Sequence, residues 1–107
     1  MPETDIATVD SQQAVIDLIL DERNSQDAKW GDQSGHSDFV WLGILMEEVG
    51  EAAKCALHNL FGGKESGRLT TELVQVAAVS VAWIEAIYSR GQNRTNQQLT
   101  ATDGIEQ

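Results

Sequence analysis

Three glutamates that share one helical face could bind a cation, and they lie in the segment Glu47–Glu51. Residues three or four apart on a helix are neighbours, so Glu48 and Glu51 meet, as do Glu47 and Glu51. Like charges placed this way destabilise a helix unless a cation or solvent relieves them. The pattern predicts a cation-binding cluster. The alternative is a solvated acidic face on which Glu51 pairs with Lys54.

A second acidic position lies further along the chain, at Glu72, and Gln75 follows it by three residues. Both Glu48 and Glu72 fall in apolar helical stripes, where an unpaired carboxylate is costly to bury. An antiparallel pairing of the two helices would bring Glu72 near Glu48 and Glu51. Oxygen ligands of this kind suit Mg²⁺, with Mn²⁺ as a second choice. The two histidines lack the spacing of a zinc or di-iron site.

Apolar residues recur at helical spacing in three stretches, which predicts three helices. The first runs from about Ser11 to Ala28, with residues 21–23 on its outer side or near its end. A loop of residues 29–36 follows. The second helix runs from about Asp38 to Leu60, and Ser37 is a good N-cap. The third begins near Thr70 or Thr71 and ends near residues 90–91.

The second and third helices carry apolar residues on more than one side. The second is therefore expected to be central. Between Leu73 and Ile84 only Gln75 and Ser80 are polar, so the third helix should be buried all round; a valine-rich strand is the alternative there. One small domain buries such a helix poorly. We expect an all-α antiparallel bundle of three to four helices per chain, completed as a homodimer or homotetramer with the third helix near the interface.

The ends of the chain differ from its middle in composition. Residues 1–10 are expected to form a flexible lead-in, residues 11–91 the helical domain, and residues 92–107, rich in Gln, Asn and Thr, a flexible tail. One domain suits the 107 residues.

Charge and cysteine content exclude several classes of function. A net charge of −10 argues against nucleic acid as a partner, since a phosphate-backbone binder needs a basic face. The single cysteine, Cys55, allows no internal disulfide and is expected to be a small buried side chain. No secretory signal pattern is present, and the apolar run in the third helix is short for a bilayer. These features predict a cytoplasmic protein without a membrane partner.

Three segments together resemble the MazG-like family of all-α nucleoside triphosphate pyrophosphohydrolases. They are Lys29-Trp30-Gly31, the stretch from Leu45 to Lys54 that contains Glu-Glu-Val-Gly-Glu, and Glu72-Leu73-Val74-Gln75. The family pattern is Glu-Glu-x-x-Glu followed one loop later by Glu-x-x-Asp. The resemblance covers about residues 11–90. The sequence departs from the pattern at Gln75, where the family has aspartate.

The resemblance implies Mg²⁺-dependent cleavage between the α and β phosphates, which gives a nucleoside monophosphate and pyrophosphate. It implies that Glu48, Glu51 and Glu72 are metal ligands, with Gln75 as a neutral fourth. It also implies that Glu47 and Glu48 are catalytic residues. Glu47 would orient or deprotonate the attacking water. A neutral amide in place of a carboxylate should weaken Mg²⁺ binding.

The resemblance also implies a substrate-binding set. Lys54 could contact phosphate, with Lys29 and Arg68 as weaker candidates, and Trp30 could stack on the base. Packing at the end of the first helix is the alternative for Trp30. Two other functions stay open beside the hydrolase. One is a non-catalytic nucleotide- or metal-binding protein on the same scaffold, and the other is a purely structural helical oligomer.

Overall fold

A computed structural model describes the backbone of residues 2–106 and the side chains of residues 10–96. It contains three helices: α1 (Pro2–Trp30), α2 (Asp38–Phe61) and α3 (Leu69–Glu106). Over that stretch of backbone no strand occurs, so the all-α prediction is confirmed. The third apolar segment is a helix, which excludes the alternative of a buried strand there.

Two helices extend beyond their predicted limits. α1 begins at Pro2, and α3 continues to Glu106. Residues 2–10 and 92–106, expected outside the helices, are therefore helical, while their flexibility stays a prediction. α1 also reaches Trp30, so Lys29 and Trp30 form the end of a helix and not the start of a loop. These polar ends carry no apolar stripe, and periodicity therefore gave no signal for them.

The limits of α2 follow from its capping residues, of which Ser37 was predicted. Ser37 Oγ accepts a hydrogen bond from the backbone N–H of Val40 at 3.3 Å, which satisfies one of the free donors of the first turn. At the other end Gly62 adopts a φ of 90°, a conformation that favours glycine. Its N–H donates to the His58 carbonyl at 2.7 Å, and the helix stops there.

α3 is the central helix, because it packs against both α1 and α2 whereas those two make no contact with each other within the described residues. The prediction that α2 is central was wrong. The core between α2 and α3 is built on Trp41, Val79, Ala82 and Ala86, with Ile44, Leu45 and Trp83 packed around it. α2 thus buries one of its two apolar stripes and leaves the other, which includes Leu42, Met46 and Val49, exposed.

α1 is attached to α3 through charged side chains as well as apolar ones. Arg23 Nη2 lies 3.0 Å from Glu85 Oε1, and its Nε donates to Glu85 Oε2 at 3.2 Å. Gln26, one turn further, is buried. Residues 21–23 were predicted on the outer side of the helix or near its end. For Glu22 and Arg23 this was wrong, since both are half-buried and α1 continues to Trp30.

The three helices form an open arrangement. The radius of gyration is 19.3 Å, against about 13 Å for a compact chain of this length. By length and composition alone one stretch, Leu69–Asn96, is long and apolar enough to cross a membrane. Core helices of soluble proteins pass the same test, and this stretch includes the residues of α3 that pack against α2.

Candidate functional site

Two carboxylates and one amide converge where α2 faces the beginning of α3, and we refer to Glu48, Glu72 and Gln75 as the acid cluster. One end of the Gln75 side-chain amide lies 2.9 Å from Glu72 Oε2 and 3.0 Å from Glu48 Oε2. Glu72 is buried, at 6% exposure, and Glu48 and Gln75 are half-buried. The packing of α2 against α3 thus brings together three of the four residues predicted as metal ligands.

The orientation of the Gln75 amide decides what the cluster can bind. With its nitrogen toward the acids, the amide donates one hydrogen bond to Glu48 and one to Glu72, so the protein itself cross-links the two carboxylates. With the amide turned by 180°, its oxygen joins two carboxylate oxygens. Oxygens about 3 Å apart have the spacing of neighbouring ligands around octahedral Mg²⁺. The donor set therefore fits a hard cation, provided that the amide turns.

The electrostatics of the acid cluster show an excess of negative charge. Burial raises the pKa of Glu48 above its ordinary value of 4.5, and the nearby charges of Glu72, Glu47, Glu51 and Glu22 raise it further. A raised carboxyl pKa means that the charged form lacks a sufficient partner. This is the electrostatic condition in which a bound cation stabilises a protein.

One protein cation lies beside the acid cluster. Arg68 Nη2 is 3.7 Å from Glu72 Oε1, and its Nη1 is 3.3 Å from Glu65 Oε2. The Arg68 side chain is 57% exposed, so water weakens its attraction to the buried carboxylate. The structure thus brings Arg68, predicted to bind substrate, next to a predicted metal ligand.

The remaining acids of the motif lie at the edge of the cluster. Glu47 and Glu51 are exposed, and both act on the pKa of Glu48 through their charge. Among the residues whose side chains are described, no group of three or more His, Cys, Asp or Glu could hold a metal ion. The cluster therefore consists of two carboxylates with an amide, and not of the three carboxylates that the resemblance implied.

The other predicted substrate-binding residues lie further away along their helices. Lys54 is exposed on α2, six residues after Glu48 and hence on a different side of the helix. Lys29 and Trp30 contact each other at the end of α1, where Lys29 Nζ lies 5.3 Å from the Trp30 ring centroid. Trp30 is 54% exposed and follows Glu22 by eight residues, or about 12 Å along the helix.

A cavity of about 390 Å³ opens next to the acid cluster, between α1 and the start of α3. It is lined by Glu22, whose charge acts on Glu48, and by Thr71, the neighbour of Glu72, together with Leu18, Asp21, Ser25, Thr70 and Val74. Its size is in the range of small-molecule sites. A larger cavity of about 520 Å³ lies elsewhere, around Arg23 and Glu85. Those two groups are already paired with each other, which makes the second cavity the weaker candidate.

Beneath the cluster lies Cys55, which is fully buried. Burial raises the pKa of the Cys55 thiol, and the Glu72 carboxylate raises it further. A buried thiol with a raised pKa is unreactive. The prediction that Cys55 is a small buried side chain is confirmed.

The sequence did not single out two polar features. Glu22 belongs to the electrostatic surroundings of Glu48, and its spacing from the apolar residues Leu18 and Ile19 would have placed it on their face. Asp38 accepts hydrogen bonds at Oδ1 from Trp83 Nε1, at 2.9 Å, and from Arg90 Nη2, at 2.6 Å. We call Asp38, Trp83 and Arg90 the clamp. No local signal in the sequence connects Asp38 to Trp83 and Arg90, which lie 45 and 52 positions away from it.

No protein-family model matches this sequence, and no curated protein or solved structure is matched by it either. The resemblance to the MazG-like family therefore depends on the quoted motifs alone, and the family assignment stays a prediction.

Proposed function

We propose that this protein is a Mg²⁺-dependent nucleoside triphosphate pyrophosphohydrolase that releases a nucleoside monophosphate and pyrophosphate. The observation that carries the proposal is the convergence of Glu48 and Glu72 on one end of the Gln75 amide. Two half-buried or buried carboxylates with too little protein cation around them are suited to a divalent ion. Mg²⁺ is commonly held by one or two carboxylates, with phosphate and water completing its shell.

Each residue of the cluster has a role in this proposal. Glu48 and Glu72 would hold the ion together with the oxygen of the Gln75 amide, and Glu51, at the edge of the cluster, would be a further ligand. Once bound, the ion would lower the pKa of a water, shield the phosphates and hold the triphosphate chain in place. Glu47, exposed one residue before Glu48, accepts the proton of the attacking water at a carboxylate oxygen.

The cavity beside the cluster supplies the space for the substrate. Its hydroxyl groups, from Ser25, Thr70 and Thr71, can donate hydrogen bonds to phosphate or sugar oxygens. Arg68 offers a partly exposed guanidinium next to Glu72 and suits a phosphate oxygen. A nucleotide extended along α1 from Glu22 toward Trp30 would put its base near the indole ring.

The test is an assay of purified protein with Mg²⁺ and a panel of ribo- and deoxyribonucleoside triphosphates, in which pyrophosphate and orthophosphate are measured separately. We expect pyrophosphate, its loss in Glu48→Gln, and unchanged release in Asp17→Asn, a matched substitution at an exposed acid of α1. If no nucleotide yields pyrophosphate under these conditions, the enzymatic proposal is wrong.

One observation favours a second candidate, a non-catalytic nucleotide- or metal-binding protein on the same scaffold. With its nitrogen toward the acids, Gln75 cross-links Glu48 and Glu72 without an ion. An amide that already satisfies both carboxylates reduces the gain from metal binding. The test is Gln75→Asp, which removes this cross-link and adds a carboxylate. Mg²⁺-dependent activity that appears only in Gln75→Asp would support the second candidate, and activity in the parent chain would exclude it.

A further inference from the structure

The outward face of α2 carries no charged residue from Phe39 to Phe61. On a helical projection this face covers about 140°, and we call it the α2 outer face. Its members are all exposed: Phe39, Leu42, Gly43, Met46, Val49, Gly50, Ala53, Ala56, Leu57, Leu60 and Phe61. In a chain with a net charge of −10, a continuous uncharged face points to a surface that another molecule covers.

The spacing on the α2 outer face is that of a helix–helix seam. Phe39, Leu42, Met46, Val49 and Ala53 recur at intervals of three and four, and Ala56 and Leu60 continue the same alternation. Apolar residues with this repeat pack as knobs into the holes of a neighbouring helix. Among the described residues α2 packs only against α3, and it uses the opposite stripe, with Trp41, Ala52 and Cys55.

Two glycines on this face have no role inside the single chain. Gly43 and Gly50 lie within α2, where glycine costs about 1 kcal/mol relative to alanine. A Cβ added at either position would meet no atom of the chain within 4 Å. Glycine in a helix interior permits another backbone to come near, so these positions suit close contact with another helix.

We propose that the α2 outer face is the interface with a second copy of this chain, paired antiparallel about a two-fold axis at Gly50. Phe39 and Phe61 lie eleven residues before and after Gly50. An antiparallel pair centred there therefore sets Phe39 against Phe61 of the partner subunit. Gly43 falls opposite Leu57 of the partner subunit, a small residue against a large one. A two-fold contact requires such a self-complementary layout.

Charge at the border of the face agrees with this register. Glu47 and Lys54 lie on the same flank of α2, seven residues apart, and both are exposed. In an antiparallel pair equal flanks face each other, so Glu47 lies level with Ala53 of the partner subunit and about 1.5 Å of helix rise from the level of Lys54 of the partner subunit, twice by symmetry. A parallel pair would bring opposite flanks together and would separate Glu47 from Lys54 of the partner subunit.

The exposed area is also sufficient for a stable dimer. Seven large side chains on the face are between 38% and 83% exposed, namely Phe39, Leu42, Met46, Val49, Leu57, Leu60 and Phe61. Together they supply on the order of 800 Å², which is what each partner contributes to a standard interface. The predicted oligomer is thereby assigned to α2 and not to α3.

The first experiment is the molar mass of the full chain in solution, by light scattering after size exclusion and by analytical ultracentrifugation. We expect a dimer, about twice the 11.7 kDa of one chain, and a rise in its dissociation constant of about 100-fold in Met46→Glu. The matched control is Ile84→Glu, since Ile84 is similarly exposed but lies on α3. Circular dichroism verifies that both variants keep their helices.

The second experiment tests the register by disulfide formation. Gly50→Cys should form an intermolecular disulfide on mild oxidation, because the two positions meet at the axis. Gly43→Cys should not, since its two copies would lie about 21 Å apart along the helices. The parent chain, with only the buried Cys55, controls for the native thiol.

Several outcomes would overturn the proposal. A parent chain that is monomeric at about 100 μM, or a dimer lost in Ile84→Glu and kept in Met46→Glu, excludes this interface. Equal cross-linking at Gly43→Cys and Gly50→Cys excludes the antiparallel register. A monomer that binds phosphatidylcholine vesicles through Met46 would assign the face to lipid instead.

Discussion

Asp38 and Glu48, both on α2 and both near α3, differ in how their charge is balanced. Asp38 accepts hydrogen bonds from Trp83 and Arg90, and these lower its pKa below the ordinary 3.8. Burial and four neighbouring carboxylates raise the pKa of Glu48. The charge of the clamp is thus balanced within the chain, whereas the acid cluster has beside it the largely exposed Arg68, 3.7 Å from Glu72 Oε1. A fold that balances one acid and leaves another without a close partner ten residues further along the same helix has room for function at the second.

The largest expected effect is on the catalytic rate, which a substitution in the acid cluster should lower and a substitution in the clamp should not. If the proposed function is right, Glu72→Gln should lower the rate of pyrophosphate release about 100-fold or more, because it removes a carboxylate that would hold the ion. Asp38→Asn should leave the rate per folded molecule unchanged. Initial rates at saturating Mg²⁺ measure both. An equal loss of rate in the two variants would show that the clamp and the acid cluster do not differ in their effect on catalysis.

Binding of Mg²⁺ should distinguish the same two regions without reference to turnover. An ion at 100 times its Kd stabilises the folded state by about 2.7 kcal/mol, so the Tm of the parent chain should rise with Mg²⁺. The rise should vanish in Glu48→Gln and persist in Asp38→Asn. Thermal melts with and without Mg²⁺, with Ca²⁺ as a second ion, provide the measurement. A rise retained in Glu48→Gln would show that the ion binds elsewhere.

In the absence of metal, substitutions in the clamp and in the acid cluster should change the Tm in opposite directions. Asp38→Asn should lower the Tm by a few degrees, since it removes the charge that Arg90 pairs with. Glu48→Gln should raise the Tm, because it relieves repulsion with Glu72. Asp17→Asn, at an exposed position on α1, should have no effect. Melts in a chelator at pH 7 test this, and a lower Tm in Glu48→Gln would contradict our account of the acid cluster.

The smallest expected effect is the pH dependence of these differences in stability between the parent chain and its variants. The folded-state pKa of Asp38 is lowered, so its contribution to stability is present above about pH 4 and is lost as the pH falls through that lowered pKa. The folded-state pKa of Glu48 is raised, so its ionisation destabilises the fold as the pH rises above 4.5. Parent and Asp38→Asn should therefore converge at low pH, and Glu48→Gln should gain its advantage only as the pH rises. Urea unfolding between pH 3 and 7 measures both curves.

Local signals in the sequence were sufficient for the helices and for one half of the site. Ser37 and Gly62 fixed the ends of α2, since caps depend only on neighbouring residues. The apolar setting of Glu48 and Glu72 was enough to predict that they converge. The clamp, by contrast, joins Asp38 to Trp83 and Arg90 across the fold, and no periodicity within one helix announces such a contact.

The wrong prediction of which helix is central has a different cause. α2 carries apolar residues on two sides, and a single sequence does not state whether each side meets its own chain or another one. α2 was therefore expected at the centre, which α3 occupies. The Arg23–Glu85 pair likewise spans 62 positions, so the inward direction of Arg23 was not evident from its neighbours.

Because α1, as far as its residues are described, packs against α3 and not against α2, we expect that it can detach without disturbing the core around Trp41 and Val79. Its opening would break the Arg23–Glu85 pair and expose one side of α3, while the α2–α3 unit stays closed. Native-state hydrogen exchange should then show α1 amides exchanging through a low-energy partial opening, with α2 and the middle of α3 protected until global unfolding. Such a partial opening would also widen the cavity beside Glu22. The rate at which a substrate enters the site would then depend on the free energy of detaching α1.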